Sequence, residues 1–333
     1  MKVSDELNDG EGFDELLCEN FSIERDLNKE KLKDFLLKAG MPLDLIAEEA
    51  LWQLGLIKEF NKEMHVNNAY ILFFALEPQK FVEQSCITCV RYQGNSMASV
   101  IDRKALQGDL LALVDEAESF VKRHTRLAYR FNGFKRIDVE EYPFNAVREA
   151  IINAVCHRKY FLKNNVFVNV FDDRIEVISP GSIPNNLSLK EVYGTSNPRN
   201  FKVVELFKKV HYIERLGSGL KRMDELMLLH GLKKPLYEAN KAFFKATFFG
   251  PKEKILGLVK SSNETDLREL GLNERQIKAL NYLQKQAFTT RSDYQKQFKV
   301  SKMTAFRDLL FLIEKGMIKS EGKSVSAKYF LSK

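Results

Sequence analysis

A chain of 333 residues is longer than the ~250 at which single cores stop growing, so more than one core is expected. Hydrophobic residues at 44% and charged residues at 29% are ordinary for a soluble globular protein, and no run approaches the ~18 apolar residues of a membrane helix. The start, MKVSDELNDGEGF, is acidic where a secretory signal is basic and then apolar, so a cytoplasmic protein with no membrane partner is expected. The formal charge of +7 is uneven: residues 251–333 hold 17 Lys and Arg against 9 Asp and Glu, an excess that suits a polyanion, while the rest of the chain is near neutral.

Residues 1–27 read as a tail, with the first dozen disordered. Residues 28–130 read as a helical and mixed connecting region. Two short helices, NKEKLKDFLLKAG and PLDLIAEEALWQLG, each end on a glycine, and an apolar segment runs from Asn67 to Leu76. A strand is expected at Cys86–Tyr92 and an amphipathic helix at Gln107–His124. Cys86 and Cys89 have zinc-knuckle spacing, but they lie in the alternating ITCVRY, and no second Cys or His pair completes a tetrahedral site. Four scattered cysteines are also too few for a disulfide framework.

From 131 to 250 the pattern sharpens. A helix over 142–160 precedes strands Val166–Phe171 and Arg174–Ile178, a helix at Lys202–Lys209, a helix opened by Arg215-Leu-Gly-Ser-Gly-Leu220, and a strand Lys241–Phe249. On the first helix Glu149 and Asn153 are four apart and project together, away from Val147, Ile151 and Ala154. A carboxylate that orients water beside an amide oxygen that ligates Mg²⁺ is what phosphoanhydride chemistry needs at one point. Taken alone, the pair is more simply a solvated helix face. It is not alone, because Gly217-Ser-Gly219-Leu220 opens a later helix, where free N–H groups and the helix dipole favour phosphate.

This order of E-x-x-x-N helix, strand pair, Pro-Gly turn and G-x-G-L resembles the nucleotide site of the GHKL ATPase superfamily. A closer resemblance is to a family labelled RecG-like ATP-dependent helicases or transcriptional regulators. It rests on REAIINAVCHRKY (148–160), DRIEVISPGSIP (173–184), NPRN (197–200) and IERLGSGLKRM (213–223). The resemblance implies an α+β fold: a GHKL-like two-layer α/β sandwich with a small helical N-terminal region and a C-terminal winged helix-turn-helix. It also implies ATP and Mg²⁺ as cofactors, with Glu149 activating water, Asn153 ligating Mg²⁺, and Gly181, Gly217, Gly219 and Leu220 at the nucleotide. The wider superfamily's Asp in D-x-G-x-G, which reads adenine, is replaced here by Ser179-Pro180-Gly181. Members usually begin with a Schlafen/AlbA-like domain; nothing before Phe13 has that length, so a truncated member is expected. A motor helicase needs a phosphate loop G-x-x-x-x-G-K-[ST], and Gly322-Lys323-Ser324 does not complete one.

After a linker at 251–271, residues 272–333 carry three marked helix starts. Asn273 with Gln276 and Thr290 with Asp293 are capping boxes, and Ser301 caps a third helix that Gly316 stops. Two short strands come next, Met317–Lys319 and Lys328–Leu331, which completes the winged-helix order. Ala305, Leu309 and Leu312 share one face of the third helix and put Met303 and Arg307 outward. VSKMTAFRDLLFLIEKG resembles the recognition helix of DeoR-type transcriptional regulators, which makes Lys302, Met303, Thr304 and Arg307, with Lys323 in the wing, the candidates for contact with double-stranded DNA. Leu310 and Phe311 are read as outward too, which leaves a homodimer or a protein-contact role open. The reading is a DNA-binding regulator that senses a nucleotide, with an active Mg-dependent ATPase and a non-catalytic scaffold as alternatives.

Overall fold

The computed structural model describes residues 12–18, 20–42, 47–60, 63–132, 135–183, 187–193, 198–213, 217, 219–251, 255, 272–283, 286, 288–322 and 327–331. The chain forms two compact units, Met1–Leu258 and Val259–Lys333.

The first unit begins with a 3-10 turn at Phe13–Glu15 and strand β1 (Leu17–Cys18), followed by α1 (Ile23–Asp26), α2 (Lys29–Lys38), α3 (Ala47–Gln53), β2 (Ile57–Phe60), β3 (Glu63–Asn67) and α4 (Asn68–Phe74). The three strands form a small sheet in the order β1-β3-β2. The apolar segment Asn67–Leu76 is helical because the Asn67 side chain caps it, accepting from Tyr70 N. Every residue from Ala69 to Phe74 is buried. Phe73 meets Phe207 with ring centroids 5.2 Å apart, so this region shares its core with residues far along the chain.

Next come β4 (Ile87–Tyr92), β5 (Val100–Leu106), α5 (Leu110–His124), β6 (Leu127–Asn132), β7 (Lys135–Glu140), α6 (Phe144–His157), β8 (Val166–Val170), β9 (Arg174–Pro180), α7 (Leu189–Val192), α8 (Phe201–Lys209), α9 (Gly219–Leu229), β10 (Leu236–Ala239) and β11 (Phe243–Phe249). Six strands make one sheet in the order β10-β11-β9-β8-β4-β5, while β6 and β7 pair only with each other. β4 and β8 are parallel and the other pairs antiparallel. One register row runs Lys104–Cys89–Val168–Val177–Ala246, and Cys89, Val168, Val177 and Ala246 are buried. Lys104 reaches Glu116 on α5 at 2.7 Å from this face. Helices α5 and α6 pack against the sheet, and α9 lies beside α6.

Two expected boundaries therefore move. The division at residue 131 cuts through a single sheet, since β4 and β5 lie before it and pair with strands after it. The described part of the expected tail is built in: the turn at Phe13–Glu15 packs on α4 and α8, and Phe13 stacks on Tyr160 at 5.1 Å. Most of the expected linker, 256–271, lies outside the described residues. Among the described residues, no helix is long and apolar enough to cross a membrane.

The second unit contains α10 (Glu274–Leu283), β12 (Thr289–Thr290), α11 (Arg291–Phe298), α12 (Lys302–Glu314), β13 (Ile318–Glu321) and β14 (Lys328–Leu331), with strands in the order β12-β14-β13. Asn273 and Gln276 exchange hydrogen bonds at the start of α10, Thr290 and Asp293 form the capping box of α11, and Ser301 Oγ accepts from Thr304 N. Helix α11 ends on Lys299 in the left-handed conformation, φ 51°. Leu280, Leu309, Leu312 and Ile318 are buried together, each contributing roughly 1.5–3 kcal/mol by leaving water.

Candidate functional site

Helix α6 carries its apolar residues Val147, Ile151 and Ala154 into the core, which leaves Glu149 and Asn153 beside a cavity of about 140 Å³. An apolar cavity of about 150 Å³ binds benzene, so this volume suits one planar ring. The floor is apolar sheet, Val177, Phe244 and Ala246, closed by Ile183, Val192 and Met223.

Gly217 and Gly219 reach this cavity from the start of α9. A Cβ added to Gly219 would lie 2.7 Å from Glu149 Oε1 and 2.8 Å from the Asn153 amide nitrogen. A Cβ there would push the ends of both side chains aside, and with glycine the first turn of α9 stands directly against the α6 pair. Gly217 has φ 80°, which favours glycine. The expected residues Glu149, Asn153, Gly181, Gly217, Gly219 and Leu220 all line this one cavity. Among the described residues the Asn153 side chain has no hydrogen-bond partner, so its amide oxygen is available to a ligand. Mg²⁺ held with substrate phosphates uses only one or two protein oxygens. The Asn153 amide oxygen fits that donor set, and an ion held there would neutralise phosphate charge beside the Glu149 carboxylate. Among the described residues, no group of three or more His, Cys, Asp or Glu is placed to hold a metal ion.

The opposite end of the cavity is built around Ser179 and Gly181. The buried Ser179 hydroxyl donates to Ala154 O at 2.8 Å. Gly181 has φ 101°, and its Cβ would collide with Lys159 Cβ at 2.8 Å. Burial, aided by the Arg199 charge, holds the His157 imidazole down at about 4. It therefore faces the cavity neutral at neutral pH.

The remaining signature residues around this end are structural. Arg158 is buried and donates to the carbonyls of Gln84, Leu162 and Asn164, tying the exit of α6 to the start of β4. Arg199 donates to His157 O and Ser182 O, and Asn200 to Cys156 O and Arg158 O. The described part of NPRN thus caps the C-terminal end of α6, whose last carbonyls have no helical partner.

Sequence reasoning missed two groups near the cavity. Asp224 on α9 accepts from Tyr193 at 2.7 Å and Tyr237 at 3.1 Å, fastening the residue after α7 to α9 and β10. Asp14 is fully buried and accepts from Val203 N at 3.0 Å, capping α8 from a remote segment. Desolvation raises its pKa to about 6. No local spacing marks either partnership, because the partners lie far apart in the chain.

In the second unit Lys302, Met303 and Arg307 are exposed on α12. Thr304 is half-buried, and its hydroxyl lies 2.9 Å from Ser301 Oγ within the helix cap. Lys323 lies outside the described residues. Leu310 is exposed as expected, but Phe311 is half-buried against the core. The outward aromatic is Phe306, one position before Arg307, with the Arg291 guanidinium 4.7 Å from its ring centre. Cys86 and Cys89 are buried free thiols.

Residues 163–248 match the model of a family described as "Putative ATP-dependent DNA helicase recG C-terminal". This span takes in Ser179, Gly181, Gly217 and Gly219 and stops short of α6. Among solved structures, the chain is similar to the crystal structure of the DIP2311 protein from Corynebacterium diphtheriae, with a TM-score of 0.62 and 20% sequence identity over 97% of this chain. At that identity the likeness concerns the fold, and this chain spans 64% of that one. No curated protein matches. The first unit thus carries an ATPase-like domain of the RecG C-terminal type.

Proposed function

From an ATPase-like domain of the RecG C-terminal type joined to a basic helical unit, we propose that this protein is a DNA-binding regulator whose first unit binds ATP with Mg²⁺. The observation that carries the nucleotide part is the approach of Gly219 to Glu149 and Asn153. It brings a helix N-terminus, a carboxylate and an available amide together at the mouth of a cavity with room for a planar ring. The start of α9 would hold phosphates, the Asn153 amide oxygen would hold their metal ion, and Val177 and Ala246 would take the base. In this reading the six-stranded sheet and its helices are a GHKL-like sandwich.

The order α10-β12-α11-α12-β13-β14 supports reading the second unit as a winged helix, with α12 as the recognition helix. Lys302, Met303 and Arg307 on its exposed face and the net positive charge of 251–333 support duplex DNA as the partner. The regulatory reading is favoured over a motor helicase because no phosphate loop is present in the sequence.

Calorimetric titration of the full chain with Mg-ATP tests the first part, with saturable binding that Asn153→Ala weakens as the expected result. No heat of binding would remove the nucleotide assignment. Duplex retention between ~50 and ~200 mM salt tests the second, where a few phosphate contacts predict a steep loss. Absence of retention at the lower salt would refute it.

A further inference from the structure

Strand β5 is the outer edge of the six-stranded sheet, and among the described residues nothing pairs with its far side. At seven residues it is longer than β10, the four-residue strand at the other edge. Unpaired edges offer a row of free N–H and C=O groups and are normally shortened or guarded by charge. Here Val100 is 54% and Ile101 58% exposed, with Met97 at 56% just before them. This is a long edge with an exposed apolar end.

We propose that this edge docks a second copy of the chain, β5 against β5 in antiparallel fashion about a two-fold axis, joining two sheets into one. The charge pattern selects the register. In a continuous sheet, residues directly opposite must point to the same face, so the axis has to pass through a residue position. A bulge at Ile101 leaves Asp102–Leu106 as the regular part of the strand, and an axis through Arg103 pairs its charged residues Asp102–Lys104. It sets Asp102 opposite the second copy's Lys104 twice. The only unfavourable meeting is Arg103 with its own copy, two long exposed side chains free to diverge into solvent. An axis through Asp102 instead opposes two carboxylates. An axis through Lys104 opposes two ammonium groups and sets Asp102 against Leu106. The Arg103 register alone makes both charged pairs complementary.

Asp102 and Lys104 already have partners on α5, His124 at 2.8 Å and Glu116 at 2.7 Å. These are exposed pairs, worth little alone, and pairing across the axis extends them into a network without breaking either.

Sedimentation of the full chain over ~1–100 μM tests the proposal, with circular dichroism as a check on folding. A dimer is expected. Asp102→Lys and Lys104→Asp each place like charges opposite one another twice and should weaken it at least tenfold. The double variant Asp102→Lys/Lys104→Asp restores opposite signs in the same register and should recover the dimer. A wild type that stays monomeric throughout, a dimer indifferent to both single reversals, or a double variant as weak as the singles would each overturn the proposal. None of these readouts depends on nucleotide or DNA.

Discussion

Arg275 Nε donates to Asp308 Oδ2 at 2.6 Å and Arg275 Nη2 to Oδ1 at 3.2 Å, joining the first turn of α10 to the middle of α12. The Tyr294 hydroxyl on α11 donates to the same carboxylate at 3.1 Å and the Gln276 amide at 3.3 Å. One buried carboxylate therefore ties all three helices of the second unit together, and it pins Asp308 inward so that its neighbour Arg307 faces out.

Replacing Asp308 by Ala leaves the Tyr294 hydroxyl and the Arg275 guanidinium without their acceptor. The expected cost is ~2–4 kcal/mol, set below that of a fully buried ion pair because the Arg275 side chain is 35% exposed. Hydrogen exchange of the α10–α12 amides in the full chain reads it directly. Unchanged protection would show that the apolar core alone holds the unit together.

Gly219→Ala separates ligand binding from stability. Gly219 is the first residue of α9 and its φ is not positive, so Ala suits the backbone there, yet its Cβ collides with the α6 pair. Mg-ATP affinity should fall at least tenfold, while the melting temperature stays within a few degrees of wild type, matching a change of ~1 kcal/mol or less. If affinity survives, the ligand does not occupy the gap between α9 and α6.

Glu149 and Asn153 should give distinct phenotypes. Asn153→Ala removes the proposed metal donor and lowers Mg-nucleotide affinity, whereas Glu149→Ala removes the group proposed to orient water and abolishes any hydrolysis with binding retained. Phosphate release and affinity measured side by side distinguish the two. Equal indifference to both changes argues for a polar wall with no chemistry.

Asp14 makes the stability of the first unit depend on pH. The folded state holds its proton up to about pH 6 and the unfolded chain releases it near 3.8, so the native state binds more protons in between. Stability therefore falls as pH rises through this window, by roughly 2–3 kcal/mol across its width, and is flat in this contribution above it. Asp14→Asn keeps an acceptor for Val203 N and lacks the ionisation. Urea denaturation at pH 4 and pH 7 should show the variant gaining on wild type at the higher pH; a constant difference would contradict the shift.

Arg307→Ala should weaken binding to a specific duplex by ~1–3 kcal/mol, the worth of one base-edge contact, with circular dichroism unchanged because Arg307 is exposed. Equal affinity for wild type and variant would move recognition off α12.

What the sequence by itself determined are features that close within four residues. The capping boxes of α10 and α11, the Ser301 cap, the buried face Ala305–Leu309–Leu312 and the shared projection of Glu149 and Asn153 all come from helical periodicity and local hydrogen bonding. Only the tertiary structure decided which distant segments meet. The parallel pairing of β4 with β8 erased the boundary at residue 131, Asp14 turned an expected tail into the cap of α8, and Asp308 became a buried hub joining three helices. Gly219 lies on both sides of this division: its type was legible, but the close approach to Glu149 and Asn153 exists only once α9 packs beside α6. Contacts of this kind depend on shape and on polar groups finding partners across closed loops, and neither leaves a period in the sequence.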